Sequence, residues 1–129
     1  MTDPIADMII RIKNASMAGR KDLVLPHSKL KEEIIKILKI NNYIEDYQII
    51  DEKPQKNIKI ILKYVGKLSV ITDVKRVSKP GRRIYVKAGE VPQTLNGYGL
   101  TILSSNQGVI DDKAARKAKV GGEIICQIW

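Results

Sequence analysis

Apolar residues recur at helical spacing in two segments near the start of the chain. The first segment follows Asp3, a good N-cap, and Pro4, which loses no needed donor at the first helical position, and Gly19 can end this helix. Ser28 can cap the second segment, which the polar pair at 41–42 stops. The faces predicted to pack inward are Ile5, Met8, Ile9, Ile12 and Ala15 in the first helix, and Leu30, Ile34, Ile37 and Leu38 in the second.

Short apolar runs beside these helices predict strands. Residues 22–26 form one run, and residues 43–50 and 57–64 form two more on either side of the polar segment 51–56, which is typical of a hairpin. The first half is therefore expected to be a small α/β layer of helix, strand, helix and hairpin. Residues 65–67 are a short joint without a Gly/Ser-rich tract, and we place the domain boundary there.

The second half has the pattern of a mostly β structure. Runs at residues 70–77 and 82–87 flank a strong turn signal, Lys79-Pro80-Gly81, and residues 100–103 predict a further strand. The pattern closes with a helix that Asp111 can cap and that runs through about Ala118, a Gly121-Gly122 connection, and a last strand from Ile124 to Trp129.

These elements predict an α+β fold with two small domains that share an interface. Residues 1–66 would form the N-terminal α/β domain, and residues 67–129 a C-terminal, mostly β domain with one short helix. The chain of 129 residues is 43% hydrophobic, which is enough for a core, although it has no Phe. No apolar run approaches the roughly 20 residues of a membrane span, and the first residues lack a signal-peptide layout, so we expect a cytoplasmic protein without a membrane partner.

The chain has one cysteine and one histidine. Cys126 excludes an internal disulfide, and its place in the last predicted strand favours a buried small hydrophobe over a reactive thiol. His27 and Cys126 together cannot form a standard zinc site. We therefore expect neither a metal nor a cofactor.

The charge points to a polyanionic partner. The formal net charge is +9 and the isoelectric point is near 9.7, although a Lys-rich surface that only keeps the protein soluble is the alternative. Residues 1–66 hold 12 Lys+Arg against 9 Asp+Glu, and residues 67–129 hold 11 against 5. One stretch of the second half carries six cations with no acid among them: Lys75, Arg76, Lys79, Arg82, Arg83 and Lys87.

The sequence offers little support for an enzyme. A nucleophile such as Ser104 or Ser105 needs a base, and His27 lies in the other half. The chain contains no P-loop, no dinucleotide-binding glycine motif after a strand and no metal-ligand cluster. An adjacent Asp111-Asp112 pair before a helix is more often a cap than a cation site. An RNA-modifying or hydrolytic enzyme that uses Ser105 or Asp111 stays only as an alternative.

RNA recognition uses hydrogen bonds to splayed bases and 2′-hydroxyls, stacking planes and positive charge. The run 104–108 supplies hydroxyls, amides and a glycine without an acid, and Tyr85 lies among cations on a predicted strand. An ordinary hairpin turn and a packed aromatic are the respective alternatives. Glu123 can accept from a base amine or orient a loop, or it is a strand-edge carboxylate paired with Lys119.

Several motifs in order resemble the family of the eighth small-subunit ribosomal protein, across the whole chain. They are Thr2-Asp3-Pro4-Ile5-Ala6-Asp7-Met8 with Arg11-Ile12-Lys13-Asn14-Ala15, Ser28-Lys29-Leu30-Lys31, Ser78-Lys79-Pro80-Gly81-Arg82-Arg83-Ile84-Tyr85, Leu95-Asn96-Gly97, and Ser104 to Gly108 followed by Gly121-Gly122-Glu123.

The resemblance implies a non-catalytic protein of two small domains. Members bind the central domain of small-subunit ribosomal RNA early in assembly, help form the platform and contact neighbouring ribosomal proteins; bacterial members also bind their own messenger RNA and repress its translation. A regulatory module whose main ligand is messenger RNA or an acidic protein is a further alternative. No small-molecule substrate is expected.

The resemblance also implies which residues meet the RNA. The family's loop reads Ser-Thr-Ser, whereas this chain has Ser105 at the Thr position and Asn106 at the second Ser position, which keeps one hydroxyl and replaces the other with an amide. Trp129 fits the bacterial or organellar form. The predicted RNA-binding residues are Ser104, Ser105, Asn106, Gln107, Gly108, Tyr85, Lys79, Arg82, Arg83, Lys87, Gly121, Gly122 and Glu123, with Arg11, Asn14, Lys29 and Lys31 as secondary candidates.

Overall fold

The computed structural model of the chain describes residues 3–52, 55–93 and 99–129. Three helices and ten strands occupy these residues. The predicted motifs and turn residues that lie outside the described residues are Thr2, Lys53-Pro54 and Leu95-Asn96-Gly97.

The first helix forms as its sequence predicts. Helix α1 spans Pro4–Met17, and the Asp3 side chain accepts a hydrogen bond from the Ala6 N–H at 3.1 Å. Gly19 follows the end of the helix with φ of 70°, a left-handed conformation that glycine adopts without strain. All five apolar residues predicted for the inner face of α1 are buried.

The second helix, α2, spans Lys29–Ile40 and is capped by Ser28, whose hydroxyl accepts from the Lys31 N–H at 3.2 Å. The prediction that Leu30 faces the core is wrong, because Leu30 is 39% exposed. It lies in the first turn of α2 and lines a groove instead of packing on the sheet. Ile35, which the prediction left out, is fully buried.

The strands of the first half form one antiparallel sheet. Strands β1 (Asp22–Pro26), β2 (Ile44–Glu52) and β3 (Gln55–Leu62) are arranged in the order β1-β3-β2. The predicted hairpin is therefore confirmed as β2–β3, and β1 lies along the other edge of β3.

A second antiparallel sheet is built in the second half, after the short hairpin β4 (Tyr64–Val65) and β5 (Leu68–Ser69). Its elements are β6 (Val74–Arg76), β7 (Tyr85–Val86), β8 (Leu100–Ser105), β9 (Gly108–Asp111), helix α3 (Asp112–Ala118) and β10 (Gly122–Ile128). Strand β10 lies at the centre, with β8 along one side and both β6 and β7 along the other, and β9 pairs with β8. Helix α3 follows β9 and is capped by Asp111, as predicted.

Three strand predictions in this half are corrected. The runs 70–77 and 82–87 form only the short strands β6 and β7, which do not pair with each other but share the same edge of β10. Backbone N–H groups of Thr72 and Asp73 bond instead to the carbonyl of Trp129. Strand β8 continues two residues beyond Leu103, and β9 was not predicted.

The main hydrophobic core draws on both halves of the chain. Met8 and Ile12 of α1, Ile60 of β3, and Ile102 and Cys126 of the second sheet belong to one cluster of buried residues. A smaller cluster on the other face of the second sheet joins Leu103 and Ile124 to Ala115 of α3. The α+β class is confirmed, whereas the boundary at residues 65–67 stays a prediction.

Cys126 is fully buried, as predicted, and this burial raises the pKa of its thiol to about 12. Within the described ranges, no helix has the length and apolar character to cross a membrane. Those same ranges contain no group of three or more His, Cys, Asp or Glu residues that could hold a metal ion.

Candidate nucleic-acid interface

The second sheet brings three of the predicted residues into one row. Glu123 on β10 lies opposite Ser104 on β8 and opposite Tyr85 on β7. Because residues directly opposite each other in antiparallel strands point to the same face, the three side chains share one face of the sheet. Tyr85 is 69% exposed, which excludes the packed aromatic that was its alternative. A hydroxyl, a carboxylate and an open aromatic ring from three separate segments therefore stand side by side.

The predicted loop is the tip of a β-hairpin. Ser105 of β8 and Gly108 of β9 are opposite each other, and only Asn106 and Gln107 lie between the strands. Gly108 has φ of 98°, a conformation that favours glycine. The Ser105 hydroxyl donates to the Gly108 carbonyl and accepts from the Gln107 N–H, both at 3.0 Å. Ser105 therefore holds the turn, while Asn106 and Gln107 are exposed.

Two glycines allow the strands that carry this row to approach closely. A Cβ on Gly121 would lie 2.2 Å from the Val86 carbonyl oxygen, and one on Gly122 would lie 2.2 Å from the Ser104 carbonyl oxygen. No side chain fits at these distances. The structure therefore gives Gly121 and Gly122 a packing role that is independent of any ligand.

A tight turn presents the cations that precede Tyr85. The backbones of Lys79 and Arg82 exchange two hydrogen bonds of 3.0 and 2.9 Å, which places Pro80 and Gly81 at the tip. Sequence reasoning missed the residue that anchors this turn. Ser78 is fully buried, and its hydroxyl accepts from the Ile84 N–H at 2.9 Å and donates to the Ile84 carbonyl at 3.2 Å. Its only sequence signal was its place directly before the Lys-Pro-Gly motif.

Glu123 pairs with a different cation from the one predicted. Its Oε2 accepts from Nη1 of Arg83 at 3.2 Å, so the prediction of a pair with Lys119 is wrong. Lys119 instead ends α3 in a left-handed conformation with φ of 57°. Arg83 is thus partly neutralised, whereas Lys79, Arg82 and Lys87 are exposed and form no ion pair with another described residue. These three charges remain available to an anion.

The secondary candidates lie in two grooves. Lys31 is buried rather than exposed to solvent, and its Nζ donates to the Pro26 carbonyl at 3.3 Å. It lines a groove of about 480 Å³ that Arg83 also lines, so this groove adjoins the row on the sheet. Arg11 and Asn14 line another groove, of about 350 Å³, between α1 and β1, and Lys29 is exposed.

The groups considered for catalysis are engaged elsewhere. His27 Nε2 lies 2.7 Å from Oε1 of Glu32. This hydrogen bond is the chief cause that lowers the pKa of the Glu32 carboxyl. Asp112 is buried and accepts from the Arg116 guanidinium at 2.7 Å and the Thr101 N–H at 3.2 Å. The Ser105 hydroxyl is bonded within its own turn. The Ser105 hydroxyl and the Asp112 carboxylate are thus already engaged in structural hydrogen bonds.

Comparison with known proteins shows the family of the chain. The family described as Ribosomal protein S8 matches residues 3–129. Proteins called small ribosomal subunit protein uS8 are 55% identical in Dictyoglomus thermophilum, 51% in Mycoplasmopsis synoviae and 52% in Geobacillus kaustophilus, each covering 100% of this chain and 98% of the relative.

These matches place the chain among the structural, RNA-binding proteins of the small ribosomal subunit, which confirms that it is not an enzyme. It belongs to the ribosomal protein S8 family. As a component of the ribosome, it has the ribosomal RNA and the proteins of that subunit as its partners.

Proposed function

We propose that the chain is a primary RNA-binding protein of the cytoplasmic ribosome that recognises the central domain of small-subunit ribosomal RNA and helps to assemble the platform. Recognition would use one surface, which we call the sheet-edge surface: the Asn106-Gln107 hairpin tip, the row Ser104–Glu123–Tyr85, and the turn of Lys79 to Arg82. The observation that carries the proposal is the row itself, because it gathers segments that lie far apart in the sequence.

The chemistry of the sheet-edge surface divides into two tasks. The Ser104 hydroxyl, the exposed amides of Asn106 and Gln107 and the open ring of Tyr85 suit hydrogen bonding to and stacking on an RNA helix with displaced bases. Lys79 and Arg82 of this surface, together with Lys87 directly after β7, suit contacts to phosphates, which give affinity and position but carry little sequence information.

The test compares two RNAs at two salt concentrations. The purified protein is titrated with a fragment of the central domain of small-subunit ribosomal RNA and with a scrambled RNA of the same length and composition. Tight binding to the fragment that persists at the higher salt supports the proposal. Equal, salt-sensitive binding to both RNAs would leave only a basic surface and refute the proposed recognition.

We also propose that the protein represses translation by binding its own messenger RNA on the same surface. The described residues offer a single row of this composition, so two specific RNAs would compete for it. The messenger RNA should displace the ribosomal fragment in proportion to its concentration. A ternary complex of the protein with both RNAs would exclude a shared surface.

A further inference from the structure

We infer that Glu123 acts as a specificity-determining residue of the sheet-edge surface, by restraining Arg83 from binding phosphates indiscriminately. The inference rests on the proposed function for the identity of the ligand, which is an RNA. It concerns how the surface discriminates against other RNAs. Glu123 is the only acid in the row, and its neighbours across the strands are the hydroxyl-bearing Ser104 and Tyr85.

The geometry couples the two side chains loosely. One nitrogen of Arg83 donates to one oxygen of Glu123 at 3.2 Å, and the side chains are 48% and 21% exposed. Among the described residues, the remaining donors of this guanidinium and the other carboxylate oxygen have no protein partner. Glu123 and Arg83 can therefore each contact an RNA while their ion pair stays intact.

The pair treats two kinds of RNA differently. An RNA that offers only phosphates must share Arg83 with Glu123 and approach a carboxylate, so it gains little and is partly repelled. An RNA whose shape brings a 2′-hydroxyl or a base amine to the free oxygen of Glu123, and a phosphate to the free edge of Arg83, satisfies both groups together. Glu123 thus favours the RNA with the fitting shape.

The experiment compares Glu123→Gln with Glu45→Gln, which removes the same charge from an exposed β2 residue that forms no ion pair with another described residue. On scrambled RNA, Glu123→Gln should tighten binding and steepen the dependence of log K on log salt by up to about 0.7–0.9, the value of one added phosphate contact. The preference for the central-domain fragment over scrambled RNA should fall about tenfold, because Gln keeps an acceptor oxygen but exchanges a hydrogen bond to a charged group for one to a neutral group. Glu45→Gln should leave both the slope and the preference unchanged.

A second pair of variants assigns the effect to Arg83. In an Arg83→Gln background, Glu123→Gln should no longer steepen the salt dependence, because the cation that it releases is absent. Identical behaviour of Glu123→Gln and Glu45→Gln, or a steepening that persists without Arg83, would overturn the inference. The slope is measured on scrambled RNA, so it decides this point even where the wild-type protein shows no preference for the central-domain fragment and the proposed function fails.

Discussion

Gly122 lies against the carbonyl of Ser104 so closely that a Cβ at position 122 would stand 2.2 Å from that oxygen. Gly121 has the same relationship to Val86 on the opposite side of β10. The two glycines therefore join the end of β8 to the end of β7, and Glu123 follows them directly. The row that we propose to bind RNA depends on this close approach, because a side chain at position 121 or 122 would clash with the neighbouring backbone.

We predict that Gly122→Ala destabilises the protein and weakens its binding to RNA. The added methyl group displaces backbone, which costs about 1–3 kcal/mol for overpacking of this kind, and it moves Glu123 away from Ser104. Gly81→Ala is the matched control, since a Cβ there meets no atom within 4 Å, and its free energy of unfolding should stay within about 0.5 kcal/mol of wild type. Urea unfolding measures the stability of both variants. Equal stabilities of the two variants would contradict the close approach.

The hairpin tip allows turn formation and RNA contact to be separated. Ser105→Ala removes two hydrogen bonds that hold the turn and should lower the free energy of unfolding by about 1 kcal/mol, as well as weakening specific binding. Asn106→Ala removes an exposed side chain without a hydrogen bond to any described residue. It should leave stability unchanged and weaken binding to the central-domain fragment by about 1–3 kcal/mol. An Asn106→Ala variant that binds like wild type would remove Asn106 from the recognition surface.

Arg82 is expected to act on every RNA alike. It is exposed and free of ion pairs with the described residues, so Arg82→Ala should weaken binding to the fragment and to scrambled RNA by the same factor. The slope of log K against log salt should fall by about 0.7–0.9, the loss of one phosphate contact. Lys56→Ala, a change to an exposed cation on β3, should alter neither quantity beyond the small effect of net charge. Loss of preference in Arg82→Ala would mean that Arg82 reads sequence or shape.

The shared core predicts a single unfolding transition for both halves. Helices α1 and α2 contribute 14 and 12 residues to the helical signal and α3 only 7, so circular dichroism reports mainly on the first half. The fluorescence of Trp129, the only tryptophan, reports on the second half. Because one buried cluster joins residues of both, the two signals should change together in urea. Two separate transitions would show that the halves fold independently.

The helices could be predicted from the sequence because their determinants are local. Asp3, Ser28 and Asp111 cap the helices as predicted, since a capping side chain bonds to a backbone N–H three residues away. The strands of the second half were predicted less well because their lengths depend on pairing. β7 keeps only Tyr85–Val86, the two residues that pair with Glu123 and Gly122 of β10.

The candidate site was also predicted where local sequence determines it, and missed where pairing across the sheet determines it. The exposed residues of the hairpin tip and the Lys-Pro-Gly turn were found from composition and turn chemistry. The partner of Glu123 was not predicted from the sequence, because Arg83 is 40 residues away and reaches Glu123 only through the register of β7 on β10. Lys119 is nearer in the sequence, but it ends α3 in a left-handed conformation. Cross-strand partners of this kind require the sheet order, which local patterns do not contain.

Cys126 predicts a loss of stability at high pH. Burial raises the pKa of its thiol from 9.0 to about 12, so between these values the unfolded chain ionises at Cys126 while the folded protein keeps the proton. The unfolded state then binds fewer protons, and this group lowers the free energy of unfolding as pH rises, by up to about 1.4 kcal/mol per pH unit. Cys126→Ala removes the titration at a packing cost that does not depend on pH. The stability difference between wild type and Cys126→Ala, measured by urea unfolding, should therefore shrink by about 1.3 kcal/mol between pH 8 and about pH 10. A difference that stays constant would mean that solvent reaches the thiol in the folded protein.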